Sequence, residues 1–316
     1  MKVLANDGIS QSGIEALEKA GYEVITTTVA QEQLINYINE NDIAVLLVRS
    51  ATKVRKDIID ACPNLKIIGR GGVGMDNIDV EYAREKGVKV INTPAASSHS
   101  VAELVFGHFY SLARFLHHAN REMPLEGDSK FKVLKKAYAK GIELKGKTIG
   151  ILGFGRIGQA TAKVALGAGM KVVAFDPFLD EASLDLEFFD GQKVHFDIKT
   201  ISKEEVLKQS DFISLHVPAQ KDYVIDTKEF EIMKDGVFIA NAARGGVVNE
   251  VALVKAIESG KVAGAALDVF EKEPSPEIQL LMNPGLSLTP HTGAATNEAQ
   301  DRIGVELATQ IVSILG

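Results

Sequence analysis

Short apolar, β-branched runs alternate with stretches of helical periodicity along the whole chain. In the first half this pattern predicts five strands, Lys2–Ala5, Glu23–Thr26, Ile43–Val48, Leu65–Ile68 and Lys89–Ile91, and four helices, Gly13–Ala20, Gln31–Asn39, Lys56–Ala61 and Val80–Lys86. The run Ile43–Val48 is apolar at every position, which is typical of a strand covered on both faces. The alternation therefore predicts βα units around a parallel sheet.

The pattern breaks at Asn92-Thr93-Pro94 and then resumes. A long helix is predicted from about Ser100 to Asn120, and a polar connecting stretch from Pro124 to Lys147. A second series follows, with strands at Thr148–Leu152, Lys171–Phe175, Phe212–Leu215, Val237–Ala240, Ala263–Leu267 and Leu286–Leu288 and a closing helix at Asn297–Leu315. Two series in 316 residues predict two α/β units, since such a length exceeds one compact core of usual size.

Composition narrows the class of protein. The apolar fraction of 46% and the charged fraction of 24% are ordinary for a globular chain. A formal charge of −7 without a basic block makes a nucleic-acid partner unexpected, because phosphate contacts supply most of that affinity. No apolar run is long enough for a membrane span or signal peptide, so a cytoplasmic location is expected. The single cysteine, Cys62, excludes an intramolecular disulfide and a thiolate metal cluster, and no metal site is expected.

A glycine motif follows the first strand of the second series. Gly153, Gly155 and Gly158 come directly after the apolar run Ile149–Leu152, and a helix is predicted from Gln159 to Leu166. In this context the glycines permit a tight turn, close approach of the backbone to a pyrophosphate and close helix–strand packing. The sequence therefore predicts a dinucleotide site that includes Arg156 and Ile157, in the turn where the helix begins.

Asp176, at the end of the next strand, indicates which dinucleotide binds. It lies close to the spacing of roughly 20 residues expected for the acid that binds the ribose hydroxyls. A carboxylate repels a 2′-phosphate, and the following Pro177 and Phe178 supply no cation. NAD is favoured over NADP.

Three further segments place polar residues after predicted strands. They are Asn241–Gly246, Leu267–Pro274 and Thr289–Gly293. Taken alone, Arg244 could be a surface arginine, Glu273 a solvated acid and His291 a loop histidine. Together they lie where open α/β sheets bind ligands.

These motifs, in this order, resemble those of the D-isomer-specific 2-hydroxyacid dehydrogenases over nearly the whole chain, and most strongly the 3-phosphoglycerate dehydrogenases. The matching segments are Gly69–Asp79, Asn92–Pro94, Leu152–Gly158, Asn241–Gly246, Leu267–Pro274 and Pro290–Ala294. The resemblance implies that His291 is the acid–base, Glu273 its partner and Arg244 the clamp on the substrate carboxylate. It also implies cofactor contacts from Val217, Pro218, Ala242, Asp268, His291 and Gly293.

The implied roles suit the chemistry of oxidising a 2-hydroxy acid. A base removes the hydroxyl proton while a hydride passes to the nicotinamide, and histidine titrates close to neutral pH. A carboxylate bonded to the imidazole fixes its tautomer and favours the imidazolium. An arginine fork binds a carboxylate at two points.

The resemblance implies a nucleotide domain inserted in a substrate domain, both with doubly wound, Rossmann-like or flavodoxin-like parallel sheets. Residues 1–98 and 287–316 would form the substrate domain, and residues 99–286 the NAD-binding domain. Crossings near Asn92–Ser100 and Leu286–His291 would be hinges. A homodimer through the nucleotide domain, including the helix after Ser100, is expected by the same analogy.

Two arginines bear on the substrate. Arg49 and Arg70 each follow a predicted strand, and the resemblance implies that they and Ser50 hold the phosphate and carboxylate of a phosphorylated acid. Backbone N–H groups of the segment Gly72-Val73-Gly74 would bind the carboxylate. Alternatively, both arginines could be structural ion-pair residues. The expected reaction links 3-phosphoglycerate and 3-phosphohydroxypyruvate, a step of serine biosynthesis.

Two rival functions stay open. An enzyme of the same family that reduces hydroxypyruvate or glyoxylate is the nearer one. An NAD-sensing binding protein with this fold is the other, because such proteins can retain the Arg, Glu and His residues. Feedback by serine through an added C-terminal domain is not expected, since the chain ends at Gly316 after the closing helix.

Overall fold

The computed structural model describes all 316 residues, which divide into two compact units. The first comprises Met1–Ser100 and Ala294–Gly316, and the second comprises Val101–Gly293. No helix combines the length and the apolar character that crossing a membrane requires.

The first unit is built on a five-stranded parallel sheet. Its strands are β1 (Lys2–Ala5), β2 (Glu23–Ile25), β3 (Ile43–Val48), β4 (Ile67–Arg70) and β5 (Lys89–Asn92). The spatial order β2-β1-β3-β4-β5 is that of flavodoxin-like sheets, with a reversal of strand order between β1 and β3. Every residue of β3 is buried, as its uniformly apolar sequence predicts.

Helices cover both faces of this sheet. From the amino-terminal segment come α1 (Gln11–Lys19), a 3₁₀ turn (Gln31–Gln33) leading into α2 (Leu34–Glu40), α3 (Lys56–Ala61) and α4 (Val80–Glu85). Leu34, Ile38 and Ile58 belong to the core on one face, and Leu17 to the core on the other. Ser10 caps α1 by accepting the N–H of Gly13.

The second unit contains a six-stranded parallel sheet and a separate hairpin. The sheet strands are β6 (Thr148–Leu152), β7 (Lys171–Phe175), β10 (Phe212–Leu215), β11 (Val237–Asn241), β12 (Val262–Leu267) and β13 (Leu286–Leu288), in the order β13-β12-β11-β10-β6-β7. The reversal of strand order lies between β6 and β10, where such sheets bind ligands. The antiparallel hairpin of β8 (Glu181–Glu187) and β9 (Lys193–Lys199) was not predicted from the sequence.

The helices of this part of the chain depart from prediction in two places. They are α5 (Ser98–Ala113), α6 (Leu116–Glu126), α7 (Phe131–Ala137), α8 (Arg156–Gly167), α9 (Lys203–Gln209), α10 (Thr227–Ile232), α11 (Glu250–Glu258) and α12 (Ile278–Leu281). The single helix predicted from Ser100 to Asn120 is divided at Phe115, whose φ of 56° is left-handed. The predicted polar connection from Pro124 to Lys147 contains α7, because Leu134 is buried.

The last helix, α13 (Asn297–Leu315), returns to the first unit. Ile303, Leu307 and Ile311 join the core that contains Val3 and Val45. The carboxyl-terminal piece of this unit begins at Ala294 rather than at the expected residue 287, because β13 pairs with β12 and the 289–293 segment bonds to Asp268. Two parallel-sheet α/β units confirm the predicted fold class.

Candidate active site

Three loops that carry the predicted catalytic residues leave adjacent parallel strands at the same sheet edge. Asn241 of β11 pairs with Leu267 of β12, and Leu267 pairs with Leu288 of β13. The segments after these strands are residues 242–246, 268–274 and 289–293. Sheet topology, not sequence separation, therefore makes these segments neighbours.

The loop that carries Arg244 is held by a buried amide. The side chain of Asn241 accepts the N–H of Ala243 at 3.1 Å and donates to the carbonyl of Arg244 at 2.9 Å. An added Cβ at Gly245 would lie 1.8 Å from the carbonyl oxygen of Phe270, so only glycine permits this approach. Arg244 Nη1 donates to the carbonyl of Ala243 at 2.6 Å. The loop thus packs directly against the segment that leads to Glu273.

His291 and Glu273 form the central pair. His291 Nδ1 lies 2.9 Å from Glu273 Oε2, while Glu273 Oε1 accepts the N–H of Phe270 at 3.0 Å. Both side chains are partly open to solvent, with exposed fractions of 42% for His291 and 36% for Glu273. With both carboxylate oxygens engaged, Glu273 presents a fixed acceptor to one imidazole nitrogen and leaves Nε2 for a reactant.

His291 occupies a backbone conformation that residues other than glycine rarely adopt. Its φ is 55°, a left-handed value that persists only where the surroundings hold it. Its N–H donates to the carbonyl of Asp268 at 2.8 Å. The conformation is therefore stabilised by the residue that directly follows β12.

Asp268 holds the segment on both sides of His291. This buried carboxylate accepts the hydroxyl of Thr289 at 2.6 Å and the N–H groups of Thr292 and Gly293 at 2.8 Å each. Asp268 therefore contributes directly to the structure of the loop that carries His291.

A pair of glutamates fixes the other end of the Glu273 segment. Glu271 N–H donates to Glu250 Oε1 at 2.8 Å, and Glu250 N–H donates to Glu271 Oε1 at 3.2 Å. Burial is the main cause that raises the pKa of Glu250. The reciprocal bonds attach the segment to the start of α11.

A cavity of about 420 Å³ opens beside the His291–Glu273 pair. Its other walls are mainly apolar and come from Phe270, Pro274, Pro276, Leu281, Leu288, Thr289 and Pro290. An apolar pocket with a few polar groups on its wall is typical of small-molecule sites.

The glycine motif fits a dinucleotide. Gly153 has a φ of 90°, and an added Cβ at Gly158 would lie 2.1 Å from the carbonyl oxygen of Gly153, so this turn requires glycine. A Cβ at Gly155 would meet nothing within 4 Å. Helix α8 begins at Arg156 without a side-chain cap. The N–H groups of its first turn, including Ile157, are thus available to a pyrophosphate.

Asp176 lies beside this turn and directly follows β7. Its Oδ2 accepts the N–H of Phe154 and its Oδ1 the N–H of Phe178, each with capacity for a further hydrogen bond. Pro177 is exposed next to it. Val217 and Pro218 follow β10, which pairs with β6, and Ala242 follows β11. The residues predicted to line the cofactor thus lie along one edge of the six-stranded sheet.

The predicted substrate arginines belong to the first unit. Val48 of β3 pairs with Arg70 of β4, so Arg49 and Arg70 lie at the carboxyl ends of neighbouring strands. Arg49 N–H donates to Asp7 Oδ2 at 2.6 Å, and Asn77 donates to the carbonyl of Arg49 at 2.8 Å. Ser50 is exposed next to it. Both arginine-bearing loops are therefore anchored by backbone bonds or strand pairing.

The guanidinium of Arg70 lies against Gly72. A Cβ added there would fall 1.4 Å from Arg70 Nη1, and the φ of Gly72 is 146°. The N–H of Gly72 already donates to the carbonyl of Arg70 at 2.9 Å. A role in binding a carboxylate therefore depends on the amides of Val73 and Gly74.

One part of the site was not predicted. His108, on α5, bonds to Ser287 and to Thr289, and so reaches the loop that carries His291. The only sequence signal is a single histidine within the mainly apolar segment Val101–Ala113. A histidine that is buried in the core without any functional role would give the same pattern.

Comparison with known proteins places these features in a family context. Residues 106–293 match the family model described as D-isomer specific 2-hydroxyacid dehydrogenase, NAD binding domain. A hydroxypyruvate reductase of Thermotoga maritima is 46% identical over all of this chain and 98% of its own length. A D-3-phosphoglycerate dehydrogenase of Methanocaldococcus jannaschii is 41% identical over all of this chain, which spans 57% of that relative.

A solved structure also matches the whole chain. The D-lactate dehydrogenase of Aquifex aeolicus, solved with NAD and lactic acid, superposes with a TM-score of 0.75 at 28% identity, covering all of this chain and 95% of that one.

Proposed function

The chain belongs to the D-isomer-specific 2-hydroxyacid dehydrogenases, and we propose that within this family it interconverts 3-phosphoglycerate and 3-phosphohydroxypyruvate. It is an NAD-dependent oxidoreductase that acts on the CH–OH group of a D-2-hydroxy acid. The proposal places it in serine biosynthesis, in the cytoplasm. The observation that carries the choice of substrate is the pair of arginines at the ends of β3 and β4.

We assign the proton transfer to His291. Because Nδ1 of this ring faces an acceptor-only carboxylate, it carries the proton in the neutral tautomer, and Nε2 has a free lone pair. In the oxidative direction, Nε2 removes the proton from the C2 hydroxyl as C2 loses a hydride. Glu273 stabilises the resulting imidazolium. In reduction, Nε2 returns the proton to the new hydroxyl oxygen.

We assign the orientation of the substrate to Arg244. A planar guanidinium binds a carboxylate through two parallel N–H···O bonds, and it also polarises the neighbouring C2 oxygen. NAD, held by the glycine turn, α8 and Asp176, supplies the acceptor or donor of the hydride. Val217, Pro218, Ala242, Asp268 and Gly293 are proposed to complete that part of the site.

The preference for a phosphorylated acid follows from charge. A substrate with both a carboxylate and a phosphate needs cations besides Arg244, and guanidinium groups suit phosphate. Arg49 and Arg70, with Ser50 and the amides of Val73 and Gly74, are the proposed source.

Hydroxypyruvate is the second candidate substrate. The reductase of Thermotoga maritima matches this chain over nearly its full length at 46% identity. The apolar walls of the cavity beside His291 also suit a substrate without a phosphate. An NAD-sensing binding protein is the candidate of another class.

Steady-state rates with NADH and a panel of 2-keto acids test the proposal. We expect kcat/KM to be highest for 3-phosphohydroxypyruvate, and Arg49→Ala to lower it at least roughly tenfold more for this acid than for hydroxypyruvate, as loss of a charged bond implies. Equal losses, or a higher wild-type kcat/KM for hydroxypyruvate, would transfer the assignment to the second candidate. Negligible turnover with every acid would indicate a sensor.

We further propose that the chain forms a homodimer through its nucleotide unit, with the substrate unit assembled from both ends of the sequence. In support, α6 and α7 expose several large apolar side chains, namely Leu116, Met123, Leu125, Phe131 and Val133. Such clustering on a surface marks an interaction site.

A further inference from the structure

His108 is a buried histidine that none of the assigned roles uses. It lies on α5 with 6% of its surface exposed. Its Nδ1 lies 2.8 Å from Ser287 Oγ, and its Nε2 lies 3.1 Å from Thr289 Oγ1. The ring therefore joins α5 to both β13 and the first residue of the loop that carries His291.

The directions of the hydrogen bonds follow from counting protons. Thr289 has one hydroxyl proton and gives it to Asp268 Oδ1 at 2.6 Å, since a carboxylate can only accept. Thr289 must therefore accept from His108, so Nε2 of His108 carries a proton. The remaining nitrogen, Nδ1, accepts the hydroxyl proton of Ser287. Burial lowers the pKa of His108, which agrees with this single neutral tautomer.

The chain of bonds ends at the group that holds His291. Asp268 Oδ1 also accepts the N–H of Thr292, and Oδ2 accepts the N–H of Gly293. The carbonyl of the same residue accepts the N–H of His291. Three of the contacts that hold the left-handed backbone of His291 therefore come from Asp268, whose Oδ1 is oriented by Thr289.

We propose that His108 is a positioning residue for His291, acting through Thr289 and Asp268. Its Nε2–H turns the hydroxyl proton of Thr289 toward Asp268 and so fixes the carboxylate that stabilises residues 289–293. Without this donor, Thr289 can rotate, and His291 loses its alignment with Glu273. The inference rests on the proposed acid–base role of His291.

Three single variants of His108, together with the single variant Thr289→Val, separate positioning from simple packing. His108→Leu removes the N–H donor and replaces the ring with an apolar side chain of similar size. His108→Gln places an amide N–H near the position of Nε2, and His108→Asn places one near that of Nδ1, where it faces Ser287. The thermal midpoint, the KM for NADH, kcat and the kinetic isotope effect with deuterated NADH are measured for each.

We expect His108→Leu and His108→Asn to lower kcat roughly tenfold, within the range for small misplacements of a catalytic group, with the KM for NADH changed less than about twofold. His108→Gln should recover most of the loss. The double variant His108→Leu/Thr289→Val should be no slower than the slower single variant, because both act on one chain of bonds.

The proposal fails if His108→Leu keeps wild-type kcat, if His108→Gln is no better than His108→Asn, or if the effects of His108→Leu and Thr289→Val on kcat multiply. Should His108→Leu not fold, the comparison of Gln with Asn decides. His291→Ala is measured in parallel: undiminished turnover there would overturn the proposed function itself, whereas a loss of roughly 10² or more together with an unaffected His108→Leu would overturn only the role of His108.

Discussion

Among single residues, His216 shows how burial determines charge. Its Nε2 lies 3.0 Å from Thr161 Oγ1 and 2.8 Å from Ser214 Oγ, and both of these partners are fully buried. Part of the residue's surface is exposed, but the ring nitrogen is enclosed. Desolvation lowers the pKa of His216 to about 3. The folded chain therefore keeps this imidazole neutral at a pH where the unfolded chain protonates it.

This difference predicts acid sensitivity. A base whose pKa is depressed by folding contributes stability above its unfolded pKa, and this stability is lost as the pH falls from near 6.5 toward about 3. In that window His216→Gln should reduce the pH dependence of the unfolding free energy by up to about 1.4 kcal/mol per pH unit. Urea titrations at several pH values measure this slope. Unchanged slopes in the variant would contradict the assignment.

Residue types alone indicated the candidate site only in part. The histidine, glutamate and arginine are assigned through a family resemblance, because each residue type taken alone also fits an ordinary surface or loop position. Sequence could not give the 2.9 Å contact between His291 and Glu273, because it depends on the conformations of two separate loops. Nor could it give the left-handed φ of His291, since histidine has no strong preference for that conformation.

At the scale of elements, α1 and α13 pack through a pair of glycines. An added Cβ at Gly304 would lie 2.2 Å from Ser10 Oγ and 3.1 Å from the Cα of Gly13. Ser10 also caps α1. The two helices therefore approach at a distance that leaves no room for a methyl group.

Gly304→Ala should destabilise the protein by about 1–3 kcal/mol, the usual cost of overpacking. Gly167→Ala is the matched control, because this helical glycine has nothing within 4 Å of an added Cβ. That change should be neutral or stabilise by up to about 1 kcal/mol. Chemical denaturation measures both. Equal effects of the two substitutions would mean that the helix contact is not tight.

The strands of the two parallel sheets were largely predictable from the sequence. The elements that were not predicted were missed for physical reasons. Buried parallel strands leave continuous apolar runs, so their positions follow from the sequence. The β8–β9 hairpin alternates apolar residues with charges that pair across its exposed face, as Asp185 does with His195. Its Asp190-Gly191 turn was the available signal. The break at Phe115 has no signal in the sequence, because phenylalanine seldom adopts a positive φ.

For the molecule as a whole, the exposed apolar side chains of α6 and α7 bear on assembly. Leu125 is 80% exposed and Val133 63% exposed. Leu125→Glu combined with Val133→Glu should convert the expected dimer to a monomer by burying charge in its interface. Val251→Glu on α11, where the side chain is 65% exposed, should leave the mass unchanged. Light scattering measures the molar mass of each variant in solution. A monomeric wild-type chain would refute the expected assembly.

The discontinuous first unit has a consequence for biosynthesis. Ribosomes extend a chain by roughly 5–20 residues per second, and domains generally fold as units. Once residue 293 has left the ribosome, the second unit, residues 101–293, is complete. At that moment the sheet formed by residues 1–100 still lacks Ile303, Leu307 and Ile311 of the last helix. The later-made unit can therefore finish folding first. Until the final helix arrives, only α1 covers that face of the nascent amino-terminal sheet, and the apolar part left exposed is the kind of surface that chaperones bind.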